Sequence, residues 1–566
     1  MNLDHKPRKL VIFPAYFPKN EEAPFFVTNG FRPLSDEKEV FFVYGKSYSA
    51  CLYGVDGVIV EVEIDITNGL PVTAMIGLPD SAVREATDRV KAALKNCGFR
   101  FPNRRVTISL APADLRKEGS SLDLAIALGI LLTDGQLALP KDQRFVAIGE
   151  LSLDGMLRSV PGVLAMADCA RRQGFDAILV PPQHADEAAL VEGIKVYALP
   201  HLRNLVPDNQ RAELAAGQER RYDFDEQGLR YTPQISSERS SVHVPGLDDY
   251  IDVLGQEHAK RALTLAASGQ HNILLSGPPG TGKTMLIKRL PTIMTEMSES
   301  EALEATKILS AAGRLQTIGQ GLVRQRPFRA PHHTISPSGL AGGGSIPKPG
   351  EVSLAHRGVL FLDELPEFSR TTLEVLRQPL EDHVVTISRA RASFTFPAHF
   401  MLACSMNPCP CGGGRSEDGQ STCTCSAASI QRYRSRISGP LLDRIDMQIE
   451  IPQPPVSQTL VPGSSSAALK QQVEAAAERQ QARYRSLPIQ TNSELSGALL
   501  RQYASPTRDA MLLLDTAITS LGLSMRSRDR ILKLALTIAD LEGSAEIRTE
   551  HLAEALQYRQ MDRQRM

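Results

Sequence analysis

Residues 277–284 read Gly277, Pro278, Pro279, Gly280, Thr281, Gly282, Lys283 and Thr284. Glycine at the first, fourth and sixth of these places lets the backbone turn tightly enough for its N–H groups to converge on an anion. Lys283 can reach β- and γ-phosphates, and the Thr284 hydroxyl can ligate Mg²⁺. The predicted chemistry is nucleoside triphosphate binding, with the phosphates held by residues 277–284 and Mg²⁺ by Thr284. A second group of acids closes the apolar run Val359-Leu-Phe-Leu-Asp363-Glu364. A buried strand of that kind delivers Asp363 to Mg²⁺ and Glu364 toward the attacking water. Asn407 lies just past the apolar run His399 to Ser405, where an amide can orient that water; it also precedes Pro408, and taken alone it reads first as a turn residue. Arg444 in Leu-Leu-Asp443-Arg444-Ile-Asp446 and Arg526 after Ser524-Met525 offer the positive charge that γ-phosphoryl transfer requires. Arg434 and Arg436 are rivals of Arg444.

These side chains need a scaffold. The apolar run Asn272-Ile-Leu-Leu-Ser276 precedes the glycine-rich loop and Met285-Leu-Ile-Lys-Arg-Leu290 follows it, which predicts strand, loop and helix. The helix N-terminus adds partial positive charge where the phosphates would sit. Lys283 and Asp363 are 80 residues apart, more than a minimal core requires. The excess includes Phe328 to Gly344, too rich in Gly, Pro and His for a core element, which suggests loops facing a pore or a partner. Val384 to Phe396 reads as a β-hairpin carrying Arg389 and Arg391. In a ring such hairpins would line a channel and grip phosphates; as a structural hairpin, its arginines would simply be solvated.

Of eight cysteines, four cluster as Cys409-Pro-Cys411 and Cys423-Thr-Cys425, separated by 11 residues. Four thiols in a short loop can enclose a structural Zn²⁺, although C-x-C is tighter than the usual ligand spacing. Reduced or redox-labile thiols are the alternative. Cys51, Cys97, Cys169 and Cys404 are scattered, as reduced core residues are.

The 566 residues exceed one ordinary domain, and the 42% hydrophobic content is ample for packed cores. A net charge of −1 gives no global basic field, so any nucleic-acid contact must come from local patches. The sequence contains no apolar stretch of membrane-spanning length and no secretory core after the first residues, which predicts a soluble, cytoplasmic protein without membrane contact. Residues 1–47 form an extension of unknown role. From 48 to 204 strands and helices alternate: Val58 to Ile64 and Arg105 to Leu110 as strands, Ser81 to Asn96 and Leu122 to Leu132 as helices. Residues 205–245 are polar and read as a linker. The ATPase core spans 246–455 with its cysteine-rich insert at 409–425, and 456–566 is helical.

Taken together, the P-loop, Asp363-Glu364, Asn407, Arg444 and Arg526 resemble an AAA+ ATPase. That resemblance implies an α/β P-loop NTPase core with a helical lid. It gives Asn407 the sensor 1 role, Arg444 the arginine finger acting on a neighbouring subunit, and Arg526 the sensor 2 role, in a homo-hexameric ring. The string from Gly98 to Leu128, with Ile148-Gly-Glu-Leu-Ser-Leu-Asp-Gly-Met-Leu-Arg158, resembles the Lon-protease-like domain of the ribosomal-protein S5 domain 2-like α/β fold. Ser121 falls near the place of the Lon nucleophile. The matching lysine would lie near Val163-Leu-Ala-Met166, and between Ser121 and Leu190 the chain has only Lys141. A serine without its base argues against peptide hydrolysis. Scaffolding or DNA contact is favoured instead, with Arg100, Arg104, Arg105, Arg116 and Lys117 as a local basic patch or as ordinary solvated surface.

The order of Lon-like domain, AAA+ core, cysteine insert and helical lid resembles the ComM/YifB family, often called Mg-chelatase-like. Asn68-Gly-Leu-Pro71, Ala111-Pro-Ala-Asp-Leu115, Phe328-Arg-Ala-Pro-His-His333, Asn407-Pro-Cys-Pro-Cys411 and Ile430 to Asp446 carry the match. The resemblance implies an ATP-driven hexameric DNA translocase or helicase that promotes branch migration in homologous recombination and the integration of DNA in natural transformation. A chelatase motor for metal insertion into porphyrin is the runner-up, and an ATP-dependent protease comes third.

Overall fold

A computed structural model of the chain describes residues 43–117, 119–140, 142–218, 220–232, 249–315, 321–344, 347–389, 392–413, 423–452 and 463–559. The expected extension up to residue 42, Lys141, Arg391 and the middle of the cysteine insert lie outside the described residues.

The first domain opens with β1 (Val43–Tyr53) and β2 (Asp56–Thr67), an antiparallel hairpin paired from Val43↔Ile66 to Tyr53↔Asp56. Its first strand thus begins at Val43, ahead of the expected boundary at 48. Next come β3 (Thr73–Ile76), α1 (Ser81–Asn96), β4 (Arg105–Ala111) and α2 (Asp123–Thr133), with the sheet ordered β1-β2-β4-β3. Asp80 caps α1, its Oδ1 accepting from Val83 N at 2.7 Å. Every residue of α2 is buried, so it is apolar all round rather than striped. β5 (Phe145–Ala147), α3 (Val163–Arg172), β6 (Ala177–Val180) and β7 (Lys195–Ala198) add a parallel sheet ordered β7-β6-β5.

Residues 206–231 are not an open linker. Tyr222 and Asp223 pair with Leu137 and Ala138, and Phe224 packs its ring 5.5 Å from those of both Phe145 and Tyr197. A few buried side chains (Leu214, Tyr222, Phe224 and Leu229) hold an otherwise polar segment to the first core. The polar average hid them.

The second domain is built on β8 (Ile273–Ser276), β9 (Phe328–Arg329), β10 (Val359–Leu362), β13 (Met401–Met406) and β14 (Met447–Glu450), a parallel sheet in the order β9-β10-β13-β8-β14. Between β10 and β13 the chain makes the expected hairpin, β11 (Val384–Arg389) with β12 (Ala392–Pro397). β8, β10 and β13 are buried throughout, which is why each reads as an unbroken apolar run. Leaving β8, the chain crosses to the far edge and returns strand by strand. The loops after β8, β10 and β13 therefore open at one carboxyl edge, where the order reverses and where such sheets bind ligands. α4 (Glu257–Gly269), α5 (Lys283–Lys288) and α6 (Glu299–Ala311) complete the elements used below.

The lid comprises α7 (Ser466–Tyr484), Gly497–Tyr503, α8 (Arg508–Ser520), α9 (Met525–Glu542) and α10 (Thr549–Gln557). Leu263 of α4, Val473 of α7 and Ile531 and Leu534 of α9 belong to one buried cluster, so lid and sheet share a core. Polar locks add direction: Gln480 Nε2 donates to Ser268 O at 3.0 Å, and the Thr537 hydroxyl meets His271 Nε2 at 2.8 Å.

The two α/β domains meet along α6 and the hairpin. Ile308, Leu309 and Ala311 cluster with Val55, Leu354 and Phe396. Lys307 pairs with Asp168, the Ser310 hydroxyl donates to Glu187, and the Tyr53 ring lies 4.6 Å from that of Phe394. One face of the hairpin base is thus structural. Phe396 is fully buried in this seam. Phe396→Ala is expected to cost about 3–5 kcal/mol. Calorimetry of the full chain should show a lowered main unfolding transition; an unchanged transition would contradict this packing.

Candidate nucleotide site

The loop 277–284 leaves β8 and enters α5 at Lys283. Gly280 and Gly282 have φ of +76° and +84°, conformations that favour glycine. A Cβ on Gly277 would lie 2.4 Å from Ile451 O, so close strand packing requires glycine there as well. The Thr281 hydroxyl donates to Pro278 O at 2.9 Å and braces the loop from within. Lys283 Nζ donates to Gly277 O and Pro278 O, both at 2.7 Å, and to Asn407 Oδ1 at 3.4 Å. Burial pushes this ammonium below the usual lysine range, while the charges of Asp363 and Glu364 pull it back up. A phosphate bound beside it would offset that desolvation with opposite charge.

The acids arrive from β10. Thr284 Oγ1 donates to Asp363 Oδ2 at 2.9 Å, so the two predicted Mg²⁺ ligands lie side by side. The Ser405 hydroxyl, from β13, donates to Asp363 Oδ1 and accepts from Glu364 N at 3.3 Å. Glu364 is exposed and has φ +53°, a left-handed conformation unusual for a non-glycine residue. Such backbone strain recurs at functional sites. The donor set of a hydroxyl, a carboxylate and a lysine beside a glycine loop fits Mg²⁺ with a nucleoside triphosphate. Ser405 was missed in the sequence because a serine inside an apolar run looks like ordinary strand filling.

The predicted arginines form a separate group. Arg444 Nη1 donates to Pro440 O at 2.8 Å and its other arm pairs with Glu381. Arg526, at the start of α9, lies 3.9 Å from the same carboxylate. The structure therefore divides the predicted catalytic residues: Lys283, Glu364 and Asn407 converge on the P-loop, whereas Arg444 and Arg526 converge on Glu381. Of the rivals, Arg436 pairs with Glu367 at 3.0 Å and Arg434 donates to Pro408 O at 3.5 Å.

The cysteine loop borders the nucleotide site. Cys409, Cys411, Cys423 and Cys425 place their sulfurs within 4.8 Å of one another. The Cys409–Cys411, Cys409–Cys423 and Cys411–Cys423 separations are 3.3, 3.4 and 3.7 Å. Zn–S bonds of about 2.3 Å in a tetrahedron set S···S edges of about 3.8 Å, so the cluster suits structural zinc. N–H groups of Gly413 and Cys425 point at Cys411 and Cys423 sulfurs at 3.4 Å, the kind of support that orients thiolate ligands. A Cβ on Gly412 would lie 2.9 Å from Pro279, so this loop packs directly on the P-loop.

In the first domain the Ser121 hydroxyl is buried and donates to Ala50 O at 3.1 Å; among the described residues no lysine or histidine is hydrogen-bonded to it. Met166 sits buried in α3. Lys117 is fully buried with Nζ on Pro112 O, so it is not part of a solvated patch with Arg100, Arg104, Arg105 and Arg116, which are exposed. The sequence missed this because lysine so seldom lies inside. Among the described residues no helix is long and apolar enough to cross a membrane.

Comparison with known proteins supplies the family. The profile described as magnesium chelatase, subunit ChlI, matches residues 249–459; subunit ChlI of Mg-chelatase matches 62–184, and the ChlI C-terminal profile matches 463–559. The chain is 43% identical over 513 residues to YifB of Escherichia coli (strain K12), covering 90% of this chain and 96% of that protein. It is 43% identical over 521 residues to the competence protein ComM of Haemophilus influenzae, covering 91% and 97%. Lon protease 2 of Bacillus subtilis is 28% identical over 144 residues, 25% of this chain and 26% of that protein. With a parallel-sheet nucleotide fold, a helical lid and these full-length relatives, the chain belongs to the ComM/YifB family of magnesium-chelatase-like AAA+ ATPases with a Lon-like N-terminal domain.

Proposed function

We propose that this chain is an ATP-driven motor on DNA, working as a homo-hexameric ring in which each nucleotide is bound by one subunit and completed by arginines of the next. The observation that carries this reading is the split of the predicted catalytic residues. Lys283, Thr284, Asp363, Glu364 and Asn407 surround the P-loop, while Arg444 and Arg526 sit together on Glu381. Two arginines held on a carboxylate apart from the P-loop suit a neighbour's γ-phosphate.

In this scheme the loop N–H groups and Lys283 hold the β- and γ-phosphates. Thr284 and Asp363 hold Mg²⁺, which when bound neutralises charge developing on the phosphate oxygens. Glu364 accepts the proton of the attacking water, and Asn407 orients that water. Arg444 as finger and Arg526 as sensor 2 stabilise the transferring phosphoryl group from the adjoining subunit. Zinc in the cysteine loop would stiffen the segment that joins Asn407 to Gly412, and so hold Asn407 and Pro279 in register.

Three features support DNA as the substrate: the loop 328–344 and the β11–β12 hairpin on the ATPase core, the Lon-like domain, and the relative named a competence protein. The expected output is branch migration during homologous recombination and natural transformation. The profile descriptions favour a second reading, a motor for metal insertion into porphyrin. The surroundings of Ser121 argue against a protease.

Lys283→Ala is expected to lower ATP hydrolysis about 100-fold or more. Full activity in a steady-state phosphate-release assay would remove the P-loop from the mechanism. Four-way DNA junctions should stimulate hydrolysis by the assembled ring and be converted to separated duplexes; no stimulation and no strand movement by a confirmed hexamer would overturn the DNA reading. Elemental analysis of the purified chain should find about one zinc per subunit. A Cys411→Ser, Cys423→Ser double variant should lose that zinc; metal-free wild-type protein would end the zinc assignment.

A further inference from the structure

The partner shared by the two arginines has chemistry of its own. Glu381 lies in the last turn of the short helix Pro379–Asp382, three residues before β11. It lines an open cleft of about 540 Å³ together with Glu374, Arg377, Gln378 and Arg444. Within that cleft Arg444 is the fixed member: its side chain is 10% exposed, with one arm tied to Pro440 O. Glu381 is looser, its side chain 55% exposed, as is Arg526, which reaches the carboxylate from α9 with its own side chain 66% exposed.

One carboxylate thus faces two guanidinium groups, with Arg377 also nearby and itself paired with Glu374 at 3.0 Å. Arg444, hydrogen-bonded to the Glu381 carboxyl, holds it below the usual carboxylate range, so it stays an anion across physiological pH. The Glu381 carboxylate is more than half exposed, and ion pairs at such a solvated carboxylate are weak and exchangeable. A γ-phosphate carries more negative charge and three acceptor oxygens, and it satisfies two guanidinium groups better than one carboxylate does.

We propose that Glu381 is a positioning residue that occupies Arg444 and Arg526 in the unengaged subunit and gives them up to the γ-phosphate of the adjoining subunit's nucleotide. The proposal rests on the reading that these arginines act across a subunit boundary. Glu381 then does two things. It prevents the arginines from straying to other anions before the ring closes, and it sets a threshold that only a correctly seated triphosphate overcomes.

The test is steady-state ATP hydrolysis by the full-length ring without DNA. Glu381→Gln keeps the shape and removes the competing charge. It should raise kcat about two- to fivefold, the range set by the strength of exposed ion pairs, with KM unchanged. Glu381→Asp, which keeps the charge, should stay near the wild-type rate and checks that the segment tolerates substitution. The gain from Glu381→Gln should disappear in an Arg444→Ala background. An unchanged or lowered kcat in a Glu381→Gln protein that melts like wild type would overturn the proposal, as would a gain that survives Arg444→Ala. Mixing Lys283→Ala subunits with Arg444→Ala subunits separates this from the reading beneath it. Recovery of hydrolysis in mixed rings supports arginines acting across the boundary, so a flat Glu381→Gln result then counts against Glu381 alone. Absence of recovery removes the cross-boundary reading and the proposal with it.

Discussion

A hydrogen bond of 2.9 Å from Thr284 Oγ1 to Asp363 Oδ2 joins the end of the glycine loop to the end of a strand 79 residues later. The nucleotide site depends on that contact, and the contact depends on strand order. Only because β8 and β10 flank β13 do a loop threonine, a strand-end acid and the Ser405 hydroxyl meet at one edge. The central strands β8, β10 and β13 are parallel and buried throughout, so close packing on both faces fixes where their ends lie. That rigidity lets a hydroxyl and a carboxylate be held at ligand spacing before any ion is bound.

Much of this was legible from residue type alone. The P-loop announces itself because glycine, lysine and threonine at fixed spacing have few other uses. β8, β10 and β13 announce themselves because strands covered on both faces must be apolar throughout. The helix from Ser81 to Asn96 was readable from its apolar spacing, and the Asp80 side chain caps it by satisfying a free N–H. What escaped was decided by distant partners. The segment 206–231 looks like a linker until Tyr222 and Phe224 find Phe145 and Tyr197. Lys117 looks like part of a basic surface until the fold encloses it. Glu381 carries no signal in its neighbours; its interest lies in two arginines that are 63 and 145 residues away in sequence.

The same logic links the site to the rest of the molecule. Asn407 is followed at once by the cysteine cluster, which packs on Pro279 through Gly412. α6 and the hairpin, both lying in sequence between the P-loop and Asn407, form the seam with the Lon-like domain. The lid shares a core with α4 and carries Arg526 to the side of Arg444. The cysteine loop therefore touches the P-loop side of the chemistry, and the lid reaches the arginine side.

The account turns on whether one subunit's arginines serve another subunit's nucleotide. A structure of the assembled full-length ring with a non-hydrolysable ATP analogue and Mg²⁺ tests this most directly. The account predicts that each γ-phosphate meets Lys283 and Asn407 of its own subunit and Arg444 and Arg526 of the adjoining one, with Glu381 released. Arg444 and Arg526 still paired with Glu381, or turned onto their own P-loop, would contradict it.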